Sequence, residues 1–375
     1  MKAKLVDLCS IQYGFAFDSA NFTEEDSNLP LVRIRDVKRG YSETFYSGDY
    51  SPQYLVHAGD LLIGMDGEFN IARWKSRDAL LNQRVCKLSA KPGVCEEYLR
   101  FALVGALKEI EDRTAFVTVK HLSAKELNKL VLDIPSYEEQ NRIASLLNKL
   151  EKILELRAKE LAALDELAKA RFVEMFGDPV GNPKNWSKHS LSDEAEIKIG
   201  PFGSLLHKDD YVSDGHALVN PSHIVDGKIV VESEFTVSDE KYDELVPYHL
   251  QVGDIVLGRR GEMGRCAVVD QPGLLCGTGS LFIRSKGNIA PDFIQKIISF
   301  PSFKRTIEDM AVGQTMLNLN VPIVSSFQII VPPKMIQAQY YAFVEHVCKV
   351  KAALLQSLAT SQMLFDSLMQ EFFQY

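Results

Sequence analysis

The sequence predicts an α+β protein. Two related α/β units are separated by a long antiparallel two-helix coiled coil, and the whole carries an internal pseudo-two-fold repeat. Three observations predict this: motifs that recur across the chain, two long heptad stripes, and short apolar runs alternating with amphipathic stretches.

The repeat comes first along the chain. Leu5, Asp7, Ile11 and Gly14 recur as Leu191, Asp193, Ile197 and Gly200, an offset of 186. Gly59-Asp60-Leu61-Leu62-Ile63-Gly64 recurs as Gly253-Asp254-Ile255-Val256-Leu257-Gly258, an offset of 194. Ile134-Pro135 and Gln140 recur as Val331-Pro332 and Gln337, and that offset of 197 holds through Glu174 and Phe176, which match Glu371 and Phe373. A period this long describes a duplicated domain with its connector rather than a solenoid unit. The offset grows within the second unit, as expected for loop insertion.

The globular units are assigned to residues 1–135 and 179–332. Short β-type runs such as Leu29 to Ile34 and Asp254 to Leu257 lie between Gly and Asp. Glu97 to Leu103 and Pro291 to Ile298 read as amphipathic helices.

The connectors, 136–178 and 333–375, read as long helices. Ser136-Tyr137-Glu138-Glu139 has the form of a capping box. Ile143, Leu147, Leu150, Leu154, Leu161, Leu164, Ala168 and Met175 then keep a 4-3 spacing, interrupted by Arg157 and Arg171, until Gly177 and Pro179 stop the helix. Shifted by 197, the same ten positions hold Tyr340, Val344, Val347, Lys351, Leu354, Leu358, Ser361, Phe365, Leu368 and Phe372. Such a narrow, sustained stripe is a coiled-coil signature. A pseudo-two-fold relation between the repeats would make the helices antiparallel.

Composition narrows the function. Of 375 residues, 46% are hydrophobic and 25% charged, as in ordinary soluble proteins. No apolar run is long enough for a membrane span, and the first residues lack a signal-peptide core, so a cytoplasmic chain is expected. The six cysteines and eight histidines have no metal-ligand spacing, so no metal site is expected. The net charge is −8 and neither half of the chain is basic, so contact with nucleic acid must come from local clusters or be shared with a more basic partner.

Catalytic motifs are weak. Leu275-Cys276-Gly277-Thr278-Gly279 superficially matches a loop that binds S-adenosylmethionine, but its repeat counterpart, Leu81-Asn82-Gln83-Arg84-Val85, has no glycine. The sequence contains no P-loop. Asp66-Gly67-Glu68 suggests a metal-dependent acidic pair, yet its counterpart is Arg260-Gly261-Glu262. Cationic clusters remain. Arg33, Arg35, Lys38 and Arg39 share one stretch, and Arg259, Arg260 and Arg265 flank Gly258, Gly261 and Gly264. Glycine lets a backbone approach phosphate while guanidinium groups reach phosphates or base edges, and Asn82, Gln83 and Arg84 suit adenine and guanine. Asn70, Lys120, Lys208, Asn220 and Thr278 complete the candidate set. Surface ion pairing is the alternative for each.

The chain resembles, over essentially its whole length, the DNA-specificity subunit of type I restriction-modification enzymes. Residues 59–70 with 81–85, residues 253–261, Arg171 to Pro179 and the Pro-Ser-Tyr-Glu-Glu-Gln-Asn-Arg-Ile stretch at 135–143 carry the likeness. Pro332 to Gln337 is a looser copy, with Ile336 where an acidic residue is usual. The resemblance implies two target recognition domains, each reading one half of a bipartite double-stranded DNA site, and a helical spacer between them. It implies docking of two methyltransferase subunits and of motor-nuclease restriction subunits. S-adenosylmethionine, ATP and Mg2+ would belong to those partners, with no cofactor and no catalytic residue in this chain. A fused methyltransferase or nuclease, and a scaffold that has lost DNA reading, are the alternatives.

Overall fold

The computed structural model describes residues 1–113, 120–201, 205–311 and 317–373, apart from the side chain of Lys208. The chain divides into two compact units: residues 1–161 with 353–375, and residues 162–352.

In the first unit the central sheet is antiparallel. The strand Val85–Ala90 pairs with Cys9–Tyr13 on one side and with Leu61–Gly64 on the other, and Leu61–Gly64 also pairs with Asn70–Arg73. A second, mixed sheet of five strands contains the parallel pair Leu29–Val32 and Ala79–Leu81. The run beginning at Leu29 ends as a strand at Val32, and the chain then turns into the short helix Ile34–Arg39. The helix Glu96–Arg113 packs Leu99, Leu103 and Leu107 into the same core as Leu61, Ile63 and Leu88.

The second unit has a central sheet with the same order. Ser280–Ser285 lies between Ala195–Ile199 and Ile255–Gly258, and Cys266–Val268 flanks the latter. The parallel pair is here His216–Val219 with Leu275–Cys276. In place of a helix like Ile34–Arg39, the chain makes a turn at Pro221–His223 and a hairpin of Ile224–Val225 with Lys228–Ile229. Asp226 and Gly227 both take positive φ at its tip, as a tight hairpin turn requires. This hairpin accounts for part of the growing offset between repeats.

The Gly-Asp motif has one local geometry in both units. Gly59 and Gly253 have φ of 97° and 94°, a region that strongly favours glycine. The following carboxylate accepts a backbone N–H three residues back: Asp60 from His57 and Asp254 from Gln251, each at 2.8 Å. The turn thereby delivers the chain into the central strand.

The long helices run Tyr137–Phe176 and Lys334–Phe373, 40 residues each. The Ser136 hydroxyl accepts the Glu139 N–H at 3.3 Å, the forward half of the capping box. Gly177, at φ 76°, ends the first helix. All ten stripe positions in each helix are buried or half-buried, while most residues between them are exposed. In the first unit, Ile143 and Leu147 from the start of one helix share a core with Phe365, Leu368 and Met369 from the end of the other. In the second unit, Phe172 and Phe176 pack on Tyr340, with ring centroids 5.5 Å apart in each case. Lys351, a charged interruption of the stripe, pairs with Asp165 in this unit.

Candidate nucleic-acid interface

In each unit the loops that follow the central and parallel strands meet at one rim, stitched by the same backbone bonds. Met65 N–H donates to the Arg84 carbonyl at 2.8 Å, and Arg259 N–H donates to the Gly279 carbonyl at 3.0 Å. The carbonyl of Met65 accepts from Leu122 at 2.7 Å, and that of Arg259 accepts from Leu319 at 3.0 Å. A glycine lets the first long strand approach the rim. A Cβ at Gly14 would lie 2.0 Å from the Asn82 carbonyl oxygen, and one at Gly200 would lie 2.0 Å from that of Gly277.

The first unit's rim is rich in charge, and its charges are mostly paired. Arg84 has φ 72°, a left-handed conformation costing a non-glycine residue on the order of 1 kcal/mol or more. Its Nε lies 3.5 Å from Asp66, and Nη1 lies 3.3 Å from each ring nitrogen of His121. His121 also pairs with Asp66. Three chain segments thus meet at one guanidinium. Lys38 pairs with Glu68 at 3.0 Å. Lys120 donates to the Glu111 carbonyl at 2.7 Å, and its own carbonyl accepts from Gly67.

The basic stretch at 33–39 does not act as one patch. Arg33 caps the short helix, with its N–H on Asp36 at 3.0 Å and its guanidinium turned toward Thr44. Asp36 is buried, which raises its carboxyl above the usual range. Arg35 and Arg39 are exposed, the latter 3.9 Å from Glu43. Asn70 donates to the Glu68 carbonyl at 3.0 Å, and its Oδ1 is buried with no partner among the described residues. Asn82 is buried and accepts the Gln83 N–H at 2.9 Å, whereas Gln83 is exposed.

The second unit's rim is built differently. Arg259 is half-buried and donates from Nε to the Leu319 carbonyl at 2.9 Å. Burial, with the neighbouring charge of Arg260, pulls its guanidinium below the usual range. Arg260 is exposed and has no ion-pair partner among the described residues. Arg265 pairs with Glu262 at 3.0 Å and donates to the Pro221 carbonyl at 3.3 Å. Lys304 and then Arg265 hold the Glu262 carboxyl below its usual range. The Asn220 side-chain oxygen Oδ1 would lie 2.2 Å from a Cβ at Gly277, and the Pro221 ring would lie 2.9 Å from one at Gly279. These glycines therefore make room for neighbouring side chains. Thr278 is half-buried between them. Lys208 falls outside the described side chains.

His121 and Lys304 were not singled out from sequence. Each reaches its rim from a segment distant along the chain, so no local pattern marks it. Among the described residues no group of three His, Cys, Asp or Glu is placed to hold a metal ion, and no helix is long and apolar enough to cross a membrane.

Residues 1–166 match the family model described as type I restriction modification DNA specificity domain. Over these residues the chain is similar to the type I restriction DNA-specificity family. The EcoBI specificity subunit of Escherichia coli is 29% identical to this chain over 293 residues, covering 72% of this chain. The alignment spans 62% of the E. coli protein's own length. The MjaVIII specificity subunit of Methanocaldococcus jannaschii is 21% identical over 334 residues, covering 82% of this chain and 76% of that one. Among solved structures, the type I restriction-modification S subunit from M. genitalium aligns over 100% of this chain and 96% of its own, with a TM-score of 0.58 at 15% identity. A chain from a structure of type I R-M complex assembly and conformational transition aligns over 100% and 97%, with a TM-score of 0.62 at 14% identity. At these identities the structures speak to the fold alone.

Proposed function

We propose that this chain is the non-catalytic, sequence-specific DNA-binding subunit of a type I restriction-modification complex. Residues 1–135 and 179–332 act as its two target recognition domains. Each reads one half of a bipartite double-stranded site. The long helices at 136–178 and 333–375 form an antiparallel coiled coil that sets the spacing between half-sites, and the pseudo-two-fold repeat is the product of an internal duplication. Two methyltransferase subunits and the motor-nuclease subunits dock on this frame in the cytoplasm. S-adenosylmethionine, ATP and Mg2+ belong to those partners, and the specificity subunit directs where methylation or cleavage occurs.

One observation supports this reading above the others. The two rims share a backbone frame, down to the bonds at Met65 and Arg259, while the side chains on that frame differ. A common scaffold with Arg84, Gln83 and Lys38 on one copy, and Arg260, Arg265 and Thr278 on the other, suits two different half-sites. Bidentate base contacts of this kind are worth about 1–3 kcal/mol each.

The test is to replace Arg259 and Arg260 together by Ala in the assembled complex and to map methylated sites. Relaxed selection in one half-site, with the other half unchanged, is the expected result. Unchanged methylation at native sites would remove the contact role, and methyl transfer by the purified chain alone would overturn the non-catalytic reading.

A further inference from the structure

The first unit's rim carries an apolar group that the charged candidates leave out. Phe15 is 48% exposed, although it is fixed on all backbone sides. Its N–H donates to the Leu81 carbonyl at 3.0 Å, and its carbonyl accepts the Gln83 N–H at 2.7 Å. It pairs with Asn82 as an isolated parallel bridge. The ring lies against Tyr54, with centroids 5.1 Å apart, and edge-on to Phe17 at 5.2 Å. The aromatic base sets the ring's position, and its open half faces solvent beside Gln83.

An aromatic ring held rigidly in water beside polar reading groups gains free energy only when something apolar covers it. In a major groove the apolar feature that carries sequence information is the C5-methyl group of thymine. We propose that Phe15 is a specificity-determining residue that contacts a thymine methyl in the half-site read by the first unit, next to the base pair approached by Gln83. The inference rests on the DNA-reading role proposed above. In the second unit the glycine corresponding to Gly14 is followed by Pro201, which is buried. The position of Phe15 is therefore not aromatic in the second unit.

The experiment uses the complete complex and duplexes in which each thymine of the target is replaced in turn by uracil, which removes only the methyl group. With the natural chain, one such replacement in the first unit's half-site should weaken specific binding about fourfold, the effect of returning roughly one methyl group to water. With Phe15→Ala, specific binding should fall by a similar factor on the thymine duplex, and the same uracil replacement should then have no further effect. Phe15→Leu, which keeps an apolar side chain, should restore most of the methyl dependence. If the Phe15→Ala complex keeps full sensitivity to uracil at every position, or if no position is sensitive with the natural chain, the inference is overturned while the DNA-reading role stands. If the natural complex selects no bipartite site at all, the functional reading itself fails.

Discussion

The side-chain oxygen of Gln140 accepts the backbone N–H of Cys95 at 2.8 Å, one residue before the helix Glu96–Arg113 begins. The same amide donates to the Pro135 carbonyl at 3.0 Å. One buried side chain thus satisfies an orphan donor at the start of one helix while sitting in the first turn of another. Gln337 repeats the arrangement, accepting from Ala290 at 3.2 Å and donating to Pro332 at 2.8 Å. These two glutamines fix how each long helix leaves its unit.

Replacing either glutamine by Ala leaves a buried N–H and a buried carbonyl without partners. Each substitution should cost about 1–3 kcal/mol of stability. Urea unfolding monitored by circular dichroism measures this, and an unchanged midpoint for both variants would refute the assigned role.

Asp66 holds Arg84 in a strained backbone position and shares His121 with it. Asp66→Asn keeps the shape but weakens the hold. Specific DNA binding by the complex should fall less than for Arg84→Ala, with both losses confined to the first unit's half-site. Competition with duplexes altered in one half at a time would detect this. Equal losses with either half altered would contradict it.

Glu97 lies between Arg73 and Arg100, and Arg100 also pairs with Glu151 on the long helix at 2.6 Å. Burial alone would raise the Glu97 carboxyl, but hydrogen bonds and charge from Arg100 and Arg73 outweigh it and hold it below its usual 4.5. A carboxyl depressed in the folded state adds stability that is full above its unfolded value and is lost as pH falls through the folded one. Melting temperatures should therefore decline below about pH 4.5, and Glu97→Gln should decline less steeply. Parallel curves for the two proteins would rule the network out as a source of acid sensitivity.

Lys351 interrupts the helix stripe but is only half-exposed and pairs with Asp165. A partly exposed ion pair contributes about 0–1 kcal/mol. Lys351→Leu should be neutral or slightly stabilising, since it completes the stripe, whereas Lys351→Asp should destabilise by placing like charges together. Thermal melts of the two variants decide this, and a marked loss with Leu would mean that the stripe is not a packing seam at this point.

The long helices were legible in the sequence because their signals are local: a cap, a 4-3 stripe and a stop glycine. The Gly-Asp turns were legible for the same reason, since the motif's own backbone needs the glycine at positive φ. The rims were harder to read. Arg33, Arg35, Lys38 and Arg39 are adjacent in sequence, but the helix they enter sends their side chains in different directions, toward Thr44, solvent, Glu68 and Glu43. Asn82 directly precedes two exposed candidates, Gln83 and Arg84, yet is buried by the approach of Gly14, a contact made across the sheet. Phe15 gave no signal because Tyr13, Phe15 and Phe17 alternate like any half-buried strand, and only the packing on Tyr54 and Phe17 decides which ring stays open. Such features depend on long-range pairing, which one sequence does not display.

The central claim is that two readers are held by a spacer of fixed length. Inserting seven residues after Glu155 and seven after Thr360 keeps both stripes in phase and lengthens the helices by about 10 Å. That is about three base pairs at roughly 3.4 Å each. Methylated sites should then be mapped genome-wide in cells carrying the altered complex. The account predicts the same two half-sites with a spacer about three base pairs longer; an unchanged spacer, or altered half-sites at the original spacing, would contradict it.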